Sequence, residues 1–280
     1  MTTTITTDIK RALSAEFLKV KRSTVLVTVI LLPMLIITMI VLVIPLVLTV
    51  AAPELNHDEA WMDLTVNMLE TWHFMLLFIV PLITAMLANL DHSNDTWKHL
   101  FVLPVSPAAI YIAKFIMSFA LFALSSLTLL VTLVICGTLT SIIKPDALAL
   151  DGAIPMGDML GVMTISYAAS LLMIAIHIWA GLHWRGFSVP ISAGMIAFLL
   201  MLTLSTTKIY RVYPWGLPVN FINQTGNLTG DWIFEHIALT SIALSLIGSM
   251  VVILLCTRLE PRRDVQLPDF QSPGTTYLLS

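Results

Sequence analysis

Charge is scarce in this chain, and what little there is avoids most of its length. Asp, Glu, Lys and Arg make up 11% of the 280 residues, against roughly 25% in an ordinary soluble domain. Six apolar stretches long enough to cross a bilayer contain none of them: 23–53, 71–90, 115–143, 159–184, 186–207 and 236–257. There are only two cysteines, Cys136 and Cys256. Both lie in charge-free stretches and are predicted in opposite leaflets, which excludes a mutual disulfide. None of the 12 glycines is followed by Lys, so the phosphate-cradling loop that ends in Gly-Lys-Ser/Thr is missing. His-Glu-x-x-His, Gly-x-Ser-x-Gly and a carboxylate pair at membrane depth are absent as well. The chain is not expected to be an enzyme, and it offers no metal site.

The charge-free stretches themselves are apolar, in a chain that is 58% hydrophobic. A bilayer core of about 30 Å is crossed by roughly 20 such residues at 1.5 Å each. A charge at the centre of a span costs about 2.5–3.5 kcal/mol. The expected fold is therefore an all-α membrane protein, a single transmembrane domain over residues 1–280. Its six spans are predicted at 24–51, 72–90, 112–141, 160–183, 187–207 and 235–257. The first apolar run far exceeds the 7–15 residues of a signal-peptide core and is predicted to stay as an anchor.

Six spans put both termini on one side. That side would hold Lys10, Arg11, Lys19, Lys21, Arg22, Lys98, Lys114, Arg185, Arg258, Arg262 and Arg263, leaving Lys144, Lys208 and Arg211 opposite. Short cytoplasmic loops retain the cations, so both ends are predicted cytoplasmic. Five acids, Glu54, Asp58, Glu59, Asp63 and Glu70, crowd one outer segment, 54–70, which reads as a short solvated loop.

Ahead of the first span, residues 8–22 place Ile9, Leu13, Phe17 and Val20 three or four apart, with Lys10, Arg11, Ser14 and Lys21 largely on the other side. This is the pattern of an amphipathic interfacial helix capped by Asp8. Lys10, Arg11, Lys19, Lys21 and Arg22 would face anionic lipid headgroups while Phe17 enters the apolar boundary. A plain cytoplasmic anchor would carry the same cations.

The cytoplasmic segment 91–114 is the most specific in the chain. Ser93 or Asn94 can cap a short helix over about 93–102, with Trp97, Leu100 and Phe101 on one face and Asn94, Asp95, Thr96 and Lys98 around them. Pro104 stops it, and Ser106-Pro107 has the cap-plus-proline form that opens the next helix. Such a knob between two spans can take force from a soluble partner, although an ordinary interfacial reversal would look alike.

Asp91 at the end of a span, then Thr96, Leu100, Leu103-Pro104, Ser106 and Lys114, resembles the cytoplasmic loop of type-2 ABC exporter permeases. In that family the acid is commonly Glu, so Asp91 departs from the pattern. The layout as a whole resembles the small permeases of lantibiotic-immunity and bacitracin-resistance exporters. The resemblance implies that 93–102 is a coupling helix docked on an ATP-binding cassette ATPase, two copies of which carry the ATP and Mg. It also implies a second permease, either an identical copy or a similar paralogue. The cargo it implies is amphipathic or hydrophobic, such as an antimicrobial peptide. No cofactor would bind this chain itself, and no nucleic acid is expected as a partner.

Two further residues stand out. His177 lies about two turns inside the fourth span, and an ionisable group at membrane depth is a candidate for a pathway or an inter-subunit contact. The outer segment 208–235 contains Pro214, Trp215, Gly216 and Pro218, which forbid a regular span, so Trp215 could ride a segment that dips partway into the bilayer. Other readings stay open. A secondary transporter would couple through ionisable groups such as His177, and a sensor or anchor subunit needs no chemistry at all.

Overall fold

The structure, a computed structural model, describes residues 5–47, 60–92, 106–145, 150, 153–184, 188–218 and 236–259. Among these the regular elements are all helical. They are α1 (Ile5–Lys21), α2 (Thr24–Val47), α3 (Ala60–His92), α4 (Pro107–Ile143), α5 (Met156–His183), α6 (Ser188–Leu204) and α7 (His236–Leu259). A 3-10 turn, Lys208–Val212, follows α6. Four helical segments are long and apolar enough to cross a membrane: Thr24–Val47, Ala108–Ile143, Met156–His183 and Leu239–Cys256. Two apolar stretches are shorter, Met75–Leu90 within α3 and Ser188–Leu204. The 17 residues of α6 reach only about 25 Å.

Serines mark two of the helix starts. Ser23 separates α1 from α2 and accepts from the Val25 amide at 3.3 Å. Ser106 caps α4 with Pro107 in the first turn, its side chain accepting from Ala109 at 3.4 Å. Helix α3 begins earlier than the charge pattern suggests. It starts at Ala60, inside the segment read as an outer loop. Trp61, Thr65 and Met68 form a buried row at helical spacing. Trp61 lies against Gly137 of α4, where a β-carbon would come within 3.1 Å of its ring. That packing holds the helix in spite of the nearby acids.

Helices α1 and α2 run parallel to α4 along almost its whole length of about 55 Å (37 residues). Their contacts keep nearly one register: Asp8 with Ser106, Glu16 with Lys114, Val29 with Ser125, Val41 with Thr140 and Pro45 with Lys144. Two of these bonds repair the backbone. A proline has no N–H to give to the carbonyl four residues back. Pro33 so leaves Val29, and Pro45 leaves Val41, where the helix locally widens to a π-turn (Thr38–Val43). Ser125 Oγ donates to the Val29 carbonyl at 3.1 Å, and Thr140 Oγ1 to that of Val41 at 2.7 Å. Neighbouring hydroxyls are one of the few remedies for freed carbonyls inside a membrane.

Helix α5 sits at the centre and touches α3, α4, α6 and α7. Against α7 it meets Ser241, Ser245 and Ser249, a buried row at every fourth residue. Ser245 Oγ accepts from the Leu172 amide at 2.8 Å. Small residues let two backbones come this close, which substitutes for the hydrophobic drive that lipid does not supply.

Candidate functional site

Two constellations stand out, one at the α1 end of the bundle and one deeper inside. At the first, α1 packs on α4 by a face that is largely distinct from its apolar stripe. The buried row is Asp8, Ala12, Glu16 and Val20. Of the expected stripe only Val20 belongs to it; Ile9 and Leu13 are half-buried, and Phe17 is 58% exposed. The reason is what α4 presents there: a helix N-terminus with open amides, and Lys114. Carboxylates complement both. Asp8 Oδ2 accepts from the Ser106 amide at 3.4 Å. Its other oxygen is buried with no partner among the described residues. Lys114 Nζ meets Glu16 Oε1 at 3.0 Å, with each side chain only 7% exposed. Lys19, half-buried, reaches the same oxygen at 2.8 Å. Lys10, Arg11, Lys21 and Arg22 are exposed, beside the exposed Ile5, Phe17 and Leu18.

The ion pair borders a partly open pocket of about 20 Å³, lined by Thr84 of α3, Ser118 of α4, and Ile178 and Leu182 of α5. A water needs about 10–15 Å³ and polar partners, and both are present. Four helices meet at this point. It lies just beyond Ser106, the first described residue after 93–105. Asn94, Asp95, Thr96, Trp97, Lys98, Leu100, Phe101 and Pro104 all fall outside the described residues. Asp91 is the penultimate residue of α3.

The second constellation joins the two residues singled out deeper in the chain. Trp215 Nε1 donates to His177 Nε2 at 3.3 Å, both residues buried. The rings meet edge to face with centroids 5.5 Å apart. An accepting Nε2 makes the imidazole neutral, with its proton on Nδ1, and Nδ1 is buried without a partner among the described residues. The chain delivers Trp215 by turning back after α6. Tyr213 donates from its hydroxyl to the Ala197 carbonyl at 2.9 Å, seven residues before the helix end and so about 10 Å back along it. Gly216 makes the turn possible, because a β-carbon there would sit 2.6 Å from the Tyr210 carbonyl oxygen. From Trp215 to Pro218 the segment is buried. Gly194 of α6 completes the junction. Its β-carbon would stand 2.9 Å from Pro81 Cβ of α3 and 3.2 Å from His177 Cε1.

Among the described residues no three His, Cys, Asp or Glu side chains converge as metal ligands. The spacing signal for the first constellation was present in the sequence but unused. Asp8 and Glu16 are eight apart, as are Ser106 and Lys114, so two parallel helices can match both pairs at once.

Residues 12–203, from α1 to the end of α6, match the family model described as ABC-2 family transporter protein. No curated protein and no solved structure matches the chain.

Proposed function

The chain belongs to the ABC-2 transporter family, and from that premise we propose that it is the permease subunit of an ATP-driven exporter. The observation that carries this reading is the family match over residues 12–203, which runs from the first helix through the segment 93–105. In this proposal six spans cross the membrane, with Met75–Leu90 and α6 completing the four longer ones, and both termini are cytoplasmic. The helix directions support that count. Helices α2 and α4 are parallel, as spans one and three must be. Phe78 packs on Phe198 while Pro81 meets Gly194, so α3 and α6 are antiparallel, as spans two and five must be.

The segment 93–102 would seat Trp97, Leu100 and Phe101 in a groove of a separate ATPase subunit, which carries the ATP and Mg. Two such subunits would drive a pair of permeases, identical or paralogous. α1 would lie at the inner interface of the bacterial cytoplasmic membrane. The proposed cargo is amphipathic or hydrophobic, in the manner of an antimicrobial peptide expelled for immunity. Among the described residues the buried charged side chains are Asp8, Glu16 and Lys114, all at the α1 end. Among the described residues the rest of the bundle interior is therefore uncharged, and that suits such a cargo better than an ion.

The test is to solubilise the tagged chain from its native membrane and identify what co-purifies. A soluble P-loop ATPase is expected; a chain that comes out without one overturns the exporter reading.

A further inference from the structure

We propose that the Glu16–Lys114 ion pair is a register lock, through which α1 moves with the first turns of α4 during ATP-driven turnover. The proposal rests on the exporter reading, and it names the joint between the ATPase side and the spans. Glu16 and Lys114 are positioning residues; neither touches cargo or nucleotide.

A buried ion pair is poor evidence for stability, because desolvating both charges offsets most of their attraction and an apolar pair of similar size often does as well. In some systems a buried polar pair is retained because it specifies one relative position of two elements. Here that position is set twice on one face, by Glu16 with Lys114 at 3.0 Å and by Asp8 with the Ser106 amide at 3.4 Å. Both contacts have the same sequence separation, 98 residues. Sliding α1 by one turn along α4 would break both contacts together.

The lock also lies where movement would enter. Ser106 is the first residue of the cap that opens α4, directly after 93–105. The pocket beside Glu16 and Lys114 is lined by Thr84 and by Ile178, so α3 and α5 adjoin the same joint. Displacing the start of α4 therefore displaces α1 and bears on two central helices. An apolar contact would let α1 slip instead.

The experiment compares the parent complex with its co-purified ATPase, reconstituted in lipid nanodiscs, with Glu16→Met/Lys114→Met and Glu16→Gln. The methionine pair removes the charges and keeps the volume, so it separates fold from coupling. The expected result is an assembled complex that melts no lower than the parent. Its kcat for ATP falls about tenfold or more while KM for ATP stays within about twofold, the pattern of a lost turnover step with binding intact. A merely structural pair would show in melting or assembly and leave that split unmoved. If the methionine pair fails to assemble, Glu16→Gln decides by the same split. Parent kcat in an assembled variant overturns the proposal. A parent chain that brings down no ATPase overturns the exporter reading first, and this proposal with it.

Discussion

Thr140 gives its hydroxyl to the carbonyl of Val41 at 2.7 Å, four residues ahead of Pro45, whose nitrogen has no hydrogen to offer it. Ser125 does the same for Val29 beneath Pro33, at 3.1 Å. Prolines in the first span thus act as attachment points. Each frees an acceptor on α2, and α4 carries a hydroxyl at the matching height. Lys144 adds a third contact at the far end, donating to the Pro45 carbonyl at 2.8 Å.

Removing these hydroxyls should loosen the α2–α4 pair. Thr140→Val keeps the shape and deletes the donor, and Ser125→Ala does so at the other site. Each is expected to cost about 0.6–2 kcal/mol, between the mean for interhelical hydrogen bonds in membranes and the cost of a stranded carbonyl. The two sites lie about 22 Å apart along the helix, so the losses should add. Thr140→Ser keeps the donor and should cost only the buried methyl it removes, about 0.8 kcal/mol. Thermal unfolding in detergent measures all three, and an unchanged Thr140→Val would show that the bond carries no net stability.

The crowding at Gly194 gives a sharper test. A methyl there would stand 2.9 Å from Pro81 Cβ, and a proline ring on a packed helix has little room to give. Gly194→Ala should lower stability by about 1–3 kcal/mol through overpacking. Gly157, which has nothing within 4 Å of its would-be β-carbon, is the control. Gly157→Ala should be neutral or slightly stabilising, and equal melting shifts at the two positions would contradict the packing seen here.

Trp215 and His177 make a third pair whose worth lies mainly in not being broken. Trp215→Phe preserves a ring but strands the imidazole acceptor, at an expected cost of about 1–3 kcal/mol. Adding His177→Phe removes the stranded group as well. The double variant should therefore lose clearly less than the sum of the two single losses, a coupling that a double-mutant cycle of melting free energies reads directly. Strict additivity would mean that the bond does not form.

What could be seen in the sequence followed the physics of each signal. Charge-free runs and the Ser106-Pro107 cap announced helices, because bilayer length and capping are local properties. The helical start of α3 was hidden by its acids, although Trp61, Thr65 and Met68 keep helical spacing. His177 and Trp215 were each conspicuous alone. Their meeting was not, because it depends on how far the turn after α6 folds back, which Tyr213 and Gly216 decide through tertiary contacts. The role of Glu16 is not legible in the apolar stripe of α1, which reports only the helix's own amphipathicity. The face that packs is chosen by the partner, and α4 offers open amides and a lysine.

The segment 93–105 lies outside the described residues, so its role must be tested by chemistry. On a helix Trp97 and Leu100 share a face, and a Trp seated in a groove is the type of residue on which an interface depends, at about 2 kcal/mol or more when truncated. An aspartate in the same groove adds the cost of burying a charge. Trp97→Asp/Leu100→Asp should therefore weaken ATPase association by about 30-fold or more, since each 1.4 kcal/mol is tenfold. Membrane insertion should be untouched, because neither residue belongs to a span. Quantitative co-purification from membranes containing equal amounts of inserted chain checks both halves. Undiminished association would place the docking surface elsewhere on the cytoplasmic face.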